Sequence, residues 1–209
     1  EYLNSPEYDH LRSLHPDVHV RTRFEKEVPN ILGSPTHLFK SIMNLLNNAA
    51  EAMPDGGNIH MVTEQQYIHH PINRGTGMKK GDYVVLTVSD NGLGIPPADI
   101  DHIFEPFYTK KEMGRSGTGL GMAVVWGTVR DHEGHIDVQS TEGTGSTFTL
   151  YFPADHSPVH EAESPSSRQT LTGHGETILV VDDMADQRQV AAGMLKQLGY
   201  AVGTASSGP

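Results

Sequence analysis

The chain has 209 residues and a formal charge of −11, enough for one sizeable domain and a fraction of a second. That acidic balance argues against a nucleic-acid backbone as partner, because such contact needs clustered Lys and Arg. There is no cysteine, hence no disulfide and no thiolate zinc site, a composition compatible with a reducing cytoplasm. No apolar run approaches the ~18–20 residues of a membrane-spanning helix, so no direct membrane contact is expected. No signal-peptide pattern opens the chain. The first residues read as the middle of a longer protein, whose anchor, if any, lies elsewhere.

The first assigned element is Val18-His19-Val20-Arg21-Thr22-Arg23-Phe24, which alternates like a half-buried strand. Ser34 followed by Pro35 reads as an N-cap with proline at the first helical position. Leu38, Ile42, Leu45, Leu46, Ala49 and Met53 then recur at helical spacing until Pro54-Asp55-Gly56-Gly57 stops the helix. Residues 58–68 and 83–89 read as strands, joined by a polar, glycine-containing hairpin loop from His69 to Gly81. A short helix is expected over Pro97–Phe104 and a long one over Leu120–Asp131, with residues 135–140 and 146–152 closing as a hairpin. The sum is an α+β fold, a two-layer sandwich with a mixed sheet on one side and helices on the other. From Ala154 to Gly175 the chain is rich in Ser, Pro, His and Thr with little apolar periodicity, a linker. A new unit follows over 176–209: an apolar strand Ile178–Val181 ending in Asp182-Asp183, a helix from Asp186 to Leu198, and a second strand at Tyr200–Val202.

Four short motifs stand in fixed order along residues 1–153. They are Asn44-Leu45-Leu46-Asn47-Asn48-Ala49-Ala50-Glu51-Ala52, Asp90-Asn91-Gly92-Leu93-Gly94, Phe104-Glu105-Pro106-Phe107 and Gly117-Thr118-Gly119-Leu120-Gly121. Gly143-Thr144-Gly145-Ser146-Thr147-Phe148 follows near a strand start. A lone G-x-G carries little weight in a chain with 22 glycines; the ordered set is specific. It resembles the N, G1, F, G2 and G3 boxes of the catalytic ATP-binding domain of sensor histidine kinases, over roughly residues 15 to 153. That family shares its nucleotide fold with gyrase-type, mismatch-repair and heat-shock chaperone ATPases. The resemblance therefore implies the Bergerat ATP-binding fold, with ATP or ADP and Mg²⁺ as ligands. Residues 176–209 in turn resemble the first βαβ of a response-regulator receiver domain, which has the flavodoxin-like doubly wound order. The parent would then be a hybrid kinase.

Each box has a chemical rationale. Asn44 and Asn48 lie four apart and share a helix face, and a carboxamide oxygen is a hard ligand suited to Mg²⁺. The resemblance implies that Asn48 coordinates the magnesium bridging the ATP phosphates, with Asn44 close by; Asn47 is expected to point off that face. A carboxylate at Asp90, ending an apolar strand, accepts from the exocyclic amine of adenine, and the resemblance makes it the adenine-specifying residue. An aspartate before a turn is equally a turn former. Gly92 and Gly94 let the backbone approach the ring. Phe104 and Phe107 are expected to anchor their loop by packing, while Lys110 and Lys111 at the start of a lid, Tyr108 to Ser116, offer donors to phosphate. Gly117, Thr118, Gly119, Leu120 and Gly121 precede a helix whose first N–H groups attract phosphate. The segment is not a P-loop, since no Lys-Ser/Thr follows. Gly143 and Gly145 shape a hairpin, with Thr147 a minor contributor to the pocket. Asp182 and Asp183 match the acidic pair that holds Mg²⁺ in receiver domains; they also sit where a helix cap belongs. The aspartate that accepts phosphate in such domains ends a later strand, so the piece is expected to bind the ion weakly and to be inert.

The implied reaction passes the ATP γ-phosphoryl to a histidine on the dimerisation and histidine-phosphotransfer domain of the parent, and the receiver domain is a further partner. His10 is not that histidine: Leu11 follows it where the acceptor box carries an acid. His132-Glu133-Gly134-His135 resembles a zincin motif but has Ile136 where the second histidine belongs. Two alternatives stay open. Gyrase- and chaperone-type ATPases carry a glutamate one turn before the magnesium asparagine to orient water; that position is Asn44, which favours transfer over hydrolysis. A nucleotide-binding scaffold without turnover is the other. A cytoplasmic location is expected.

Overall fold

The computed structural model describes residues 2–69, 78–109, 118–157 and 173–207. It divides into two compact units, Glu1–Ser157 and Pro158–Pro209. Lys110, Lys111 and Gly117, with nearly all of the expected lid, lie outside the described residues.

In the first unit a short 3₁₀ turn, Tyr2–Asn4, leads into α1, Pro6–Leu14. Ser5 caps α1 by accepting from the Tyr8 N–H at 3.3 Å, with proline at the first turn. Strand β1, Val18–Phe24, precedes α2, Pro35–Glu51. Ser34 caps α2 as its spacing predicts, its hydroxyl accepting from the His37 N–H at 3.4 Å. The antiparallel pair β2, Gly57–Ile68, and β3, Gly81–Asp90, follows, then α3, Gly121–Asp131. Strands β4, His135–Thr141, and β5, Gly145–Pro153, close the unit.

The sheet order is β1-β2-β3-β5-β4. Only the β1–β2 pair is parallel within it, and α2 supplies the crossover that such a pair requires. The buried face of α2 (Leu45, Leu46, Ala49, Ala50) meets Ile59, Met61, Val88, Leu150 and Phe152 of the sheet and Val125 and Val129 of α3. Alternation along β5 sends Ser146, Phe148, Leu150 and Phe152 into this core and the residues between them to the opposite face.

Two differences from the sequence expectations stand out. Helix α1 is not among the elements that the sequence pattern predicts. Residues 97–104 form successive turns rather than a helix: Asp99 N–H bonds Pro96 O and His102 N–H bonds Asp99 O, with a single helical-type bond from Ile103 N–H to Asp99 O. Pro96-Pro97 and Pro106 confine the stretch to too few residues to repay helix nucleation.

The second unit is β6, Thr177–Val181, α4, Ala185–Gln197, and β7, Ala201–Ala205, with β6 and β7 parallel. Asp182 and Asp183 sit just beyond β6. The Asp182 carboxylate accepts from Met184 N–H at 2.7 Å, and Met184, not an aspartate, is the capping position of α4. No described helix is long and apolar enough to cross a membrane.

Candidate functional site

A cleft of about 640 Å³ opens between α2, the loop after β3, the turns of residues 96–109, the start of α3 and the first residues of β5. Asn44, Asn48, Asp90, Gly94, Thr118, Gly119 and Gly121 all line it. Motifs up to 77 residues apart in sequence therefore meet at one place: Asn44 donates its side-chain N–H to the Gly121 carbonyl at 3.1 Å. That bond ties the face of α2 to the start of α3.

Asp90 ends β3 at the floor. Its Oδ1 accepts from Gly92 N–H at 2.9 Å and from Ser146 N–H at 3.3 Å. Both bonds fall on one oxygen; among the described residues Oδ2 has no partner. The aspartate is thus both turn former and cleft group. Burial raises its carboxyl pKa from the ordinary aspartate value, against the lowering effect of the two N–H donors. Beside it, the Ser140 hydroxyl accepts from Ile95 N–H at 2.7 Å and donates to Gly145 O at 3.0 Å. With its one proton used, Ser140 can only accept from the Ser146 hydroxyl 3.0 Å away. Ser146 keeps its lone pairs, so the floor offers acceptors.

The glycines serve mainly to bring loops together. Gly94, at φ 69, faces the Thr141 carbonyl with no room for a Cβ, and Gly143 N–H bonds Leu93 O at 2.7 Å. This docks the loop after β3 on the β4–β5 turn. Gly119 at φ 66 and Phe107 at φ 68 approach backbone to backbone, Phe107 N–H bonding Gly119 O at 2.9 Å. Helix α3 starts with no side-chain cap, which leaves its first N–H groups for an anion.

Several expected positions stand elsewhere. Gly92 is off the cleft wall; a Cβ there would come within 2.5 Å of the Ala52 carbonyl, so its role is to seat the turn on the end of α2. Leu120 is the capping position of α3 and does not line the cleft. Thr147 points to the opposite sheet face by strand alternation, and Ser146 and Phe148 line the cleft instead. Phe107 is 73% exposed, so its backbone rather than its ring anchors the turn. Asn47 lines the cleft, against the expectation: three residues from Asn44, it shares the same helix face. Glu51 and the buried Asp99 also line it. Asp182 and Asp183 belong to the second unit and have no part in the cleft.

Residues 33–156 match the family model for the histidine kinase-, DNA gyrase B- and HSP90-like ATPases. The chain belongs to this family. Among curated proteins it is similar to the sensor kinase CckA of Brucella abortus, 36% identical over 179 residues that make up 79% of this chain and 18% of that protein. It is also 36% identical over 137 residues to sporulation kinase A of Bacillus subtilis, across 65% of this chain and 20% of that protein. The chain thus spans about a fifth of the length of either relative. The mycobacterial sensor histidine kinase MprB shares the fold, with a TM-score of 0.56 at 24% identity over 71% of this chain and 91% of that one. The ATPase domain of the first unit is thus of the histidine-kinase type, and its cleft is lined by residues from the motifs at 44–52, 90–94, 117–121 and 143–148.

Proposed function

We propose that this chain is the ATP-binding catalytic module of a hybrid sensor histidine kinase. The observation that carries the reading is the acceptor floor at Asp90 and Ser146, facing in one cleft the asparagine face of α2 and the uncapped start of α3. Two acceptors suit an exocyclic amine, as on adenine, and disfavour the carbonyl that guanine carries there. The start of α3 suits the phosphates. Asn44 commits its N–H to Gly121, which leaves its amide oxygen free to face a ligand. Asn48 lines the cleft with no side-chain hydrogen bond among the described residues. These carboxamide oxygens fit a magnesium ion held between protein and phosphates. Such an ion offsets phosphate charge during phosphoryl transfer, a reaction that asks the protein for positioning more than for a nucleophile.

The γ-phosphoryl would pass to a histidine of the parent's dimerisation domain. Asn44 stands where hydrolysing relatives carry a glutamate, which favours transfer. The βαβ of the second unit, with Asp182 and Asp183 at the carboxyl end of β6, supports reading it as the start of a receiver domain. Use of ATP fits a cytoplasmic site. Incubation with γ-labelled ATP and the parent's separate dimerisation domain is the test. Acid-labile, base-stable label on that domain is expected, and none on this chain. Release of inorganic phosphate without label transfer would favour the hydrolytic reading, and bound nucleotide without either would favour a scaffold.

A further inference from the structure

The segment His132-Glu133-Gly134-His135 has no part in the cleft, yet His132 is 91% buried by its 9% exposure and fully bonded. Its Nδ1 lies 2.7 Å from Thr128 O, one turn back on α3. A carbonyl only accepts, so Nδ1 carries the proton, and the Nε2 lone pair accepts from Ser34 N–H at 2.9 Å. The ring stands edge-on to Phe152 at 5.9 Å. Gly33 makes room for it; a Cβ there would overlap the imidazole. The helix end that carries His132 is itself locked: Glu133 N–H bonds Arg130 O at 3.0 Å and Gly134 N–H bonds Val129 O at 2.8 Å.

Ser34 is the residue that caps α2, and His132 closes α3. The two helices pack against each other. They are pinned at one end by Ser34 to His132 and at the other by Asn44 to Gly121. The two spans match, since residues 34 to 44 and 121 to 132 cover about 15 and 16.5 Å of helix at the standard rise. Asn44 and Gly121 are cleft residues; Ser34 and His132 are remote from it.

We infer that His132 is a positioning residue for the ATP site: its bond to Ser34 fixes how α2 lies along α3, and thereby the placement of the asparagine face against the start of α3. The inference rests on the functional reading above only for its consequence on ATP. The pin itself is measurable without nucleotide.

Two substitutions separate the ring's two bonds. Asparagine at 132 reproduces the Nδ1 donor and loses the acceptor for Ser34; glutamine reaches the Nε2 position and restores an acceptor. In the nucleotide-free chain, a trans-hydrogen-bond N–N coupling between Ser34 N and His132 Nε2 is expected by NMR. Amide shifts of Asn44, Asn48, Gly119 and Gly121 should move in His132→Asn and return toward wild type in His132→Gln. ATP affinity should fall about fivefold in His132→Asn and recover to within about twofold in His132→Gln, the fall corresponding to one ordinary hydrogen bond. Gly33→Ala, whose Cβ would crowd the ring at the Nε2 edge that accepts from Ser34, should reproduce the asparagine shift pattern, and it carries the same test should His132→Asn fail to fold. No coupling, shifts confined to the neighbourhood of residue 132, or equal loss in both His132 variants would overturn the inference. Expected couplings and shifts in a chain that does not bind ATP would instead overturn the functional reading.

Discussion

Under the proposed function, Asp90 sets folding against binding. Its carboxyl pKa is raised by burial in the folded chain, so folding favours the protonated form. That contribution is fully present below the unfolded value of 3.8 and is lost as pH rises through the higher folded value. At neutral pH the charged carboxylate is therefore a cost that an amide avoids, while the amide oxygen still accepts from Gly92 and Ser146. Asp90→Asn should melt no lower than wild type at pH 7, with the difference closing as pH falls toward the unfolded value; a large drop in melting temperature at pH 7 would contradict this. Adenine binding works in the other direction, because an amine donor prefers the carboxylate. Nucleotide affinity should fall as pH drops through the raised pKa and should lose that acid limb in Asp90→Asn. Asn48→Ala should remove the magnesium-dependent part of ATP affinity, so that titrations with and without Mg²⁺ converge; an undiminished magnesium effect would place the ion elsewhere. At this scale the gathering of Asn44, Asn48, Asp90, Gly94, Thr118, Gly119 and Gly121 at one cleft was legible from the motifs. Ser146 and Asn47 were not, although strand alternation and an i, i+3 spacing both point to them. Once Gly145 starts the strand, it is Ser146 and not Thr147 that shares a face with Phe148.

Among the elements, α2 was legible because Ser34-Pro35 marks its start and an apolar stripe marks its face. The same Ser-Pro signal opens α1 at Ser5-Pro6, but α1 is short and buries only Leu11, so no stripe announces it. The turns of residues 97–104 failed as a helix for the opposite reason: polar–apolar spacing without the length to propagate. The close approaches of Gly94 to Thr141 and of Gly119 to Phe107 are tertiary, and no local pattern encodes them. Just beyond the His132 cap of α3, Glu133 stands at φ 51, in the left-handed region, where glycine is preferred. Its ion pair with Lys79 spans 3.9 Å between exposed side chains and is worth little. Glu133→Gly should therefore stabilise the unit by roughly 1 kcal/mol, within the cost of a left-handed non-glycine residue; denaturant midpoints measure it, and a destabilisation would show that the ion pair or chain entropy outweighs the strain.

For the molecule as a whole, the α+β architecture follows from one amphipathic crossover helix laid on a mixed sheet, and it was legible from periodicity and box order together. Leu46, fully buried where α2 meets the sheet, is the keystone of that packing; Leu46→Ala should cost about 2–5 kcal/mol in unfolding free energy, with loss near zero contradicting the core assignment. The central claim is that the cleft between α2 and α3 is an adenine-nucleotide site read by Asp90. Calorimetric titration of ATP with Mg²⁺ into the unaltered chain and into Asp90→Asn tests it most directly. Saturable one-to-one binding is predicted for the unaltered chain, weakened roughly 10- to 100-fold in the variant by loss of a hydrogen bond to a charged group. Equal affinity of the two proteins for ATP would contradict the account.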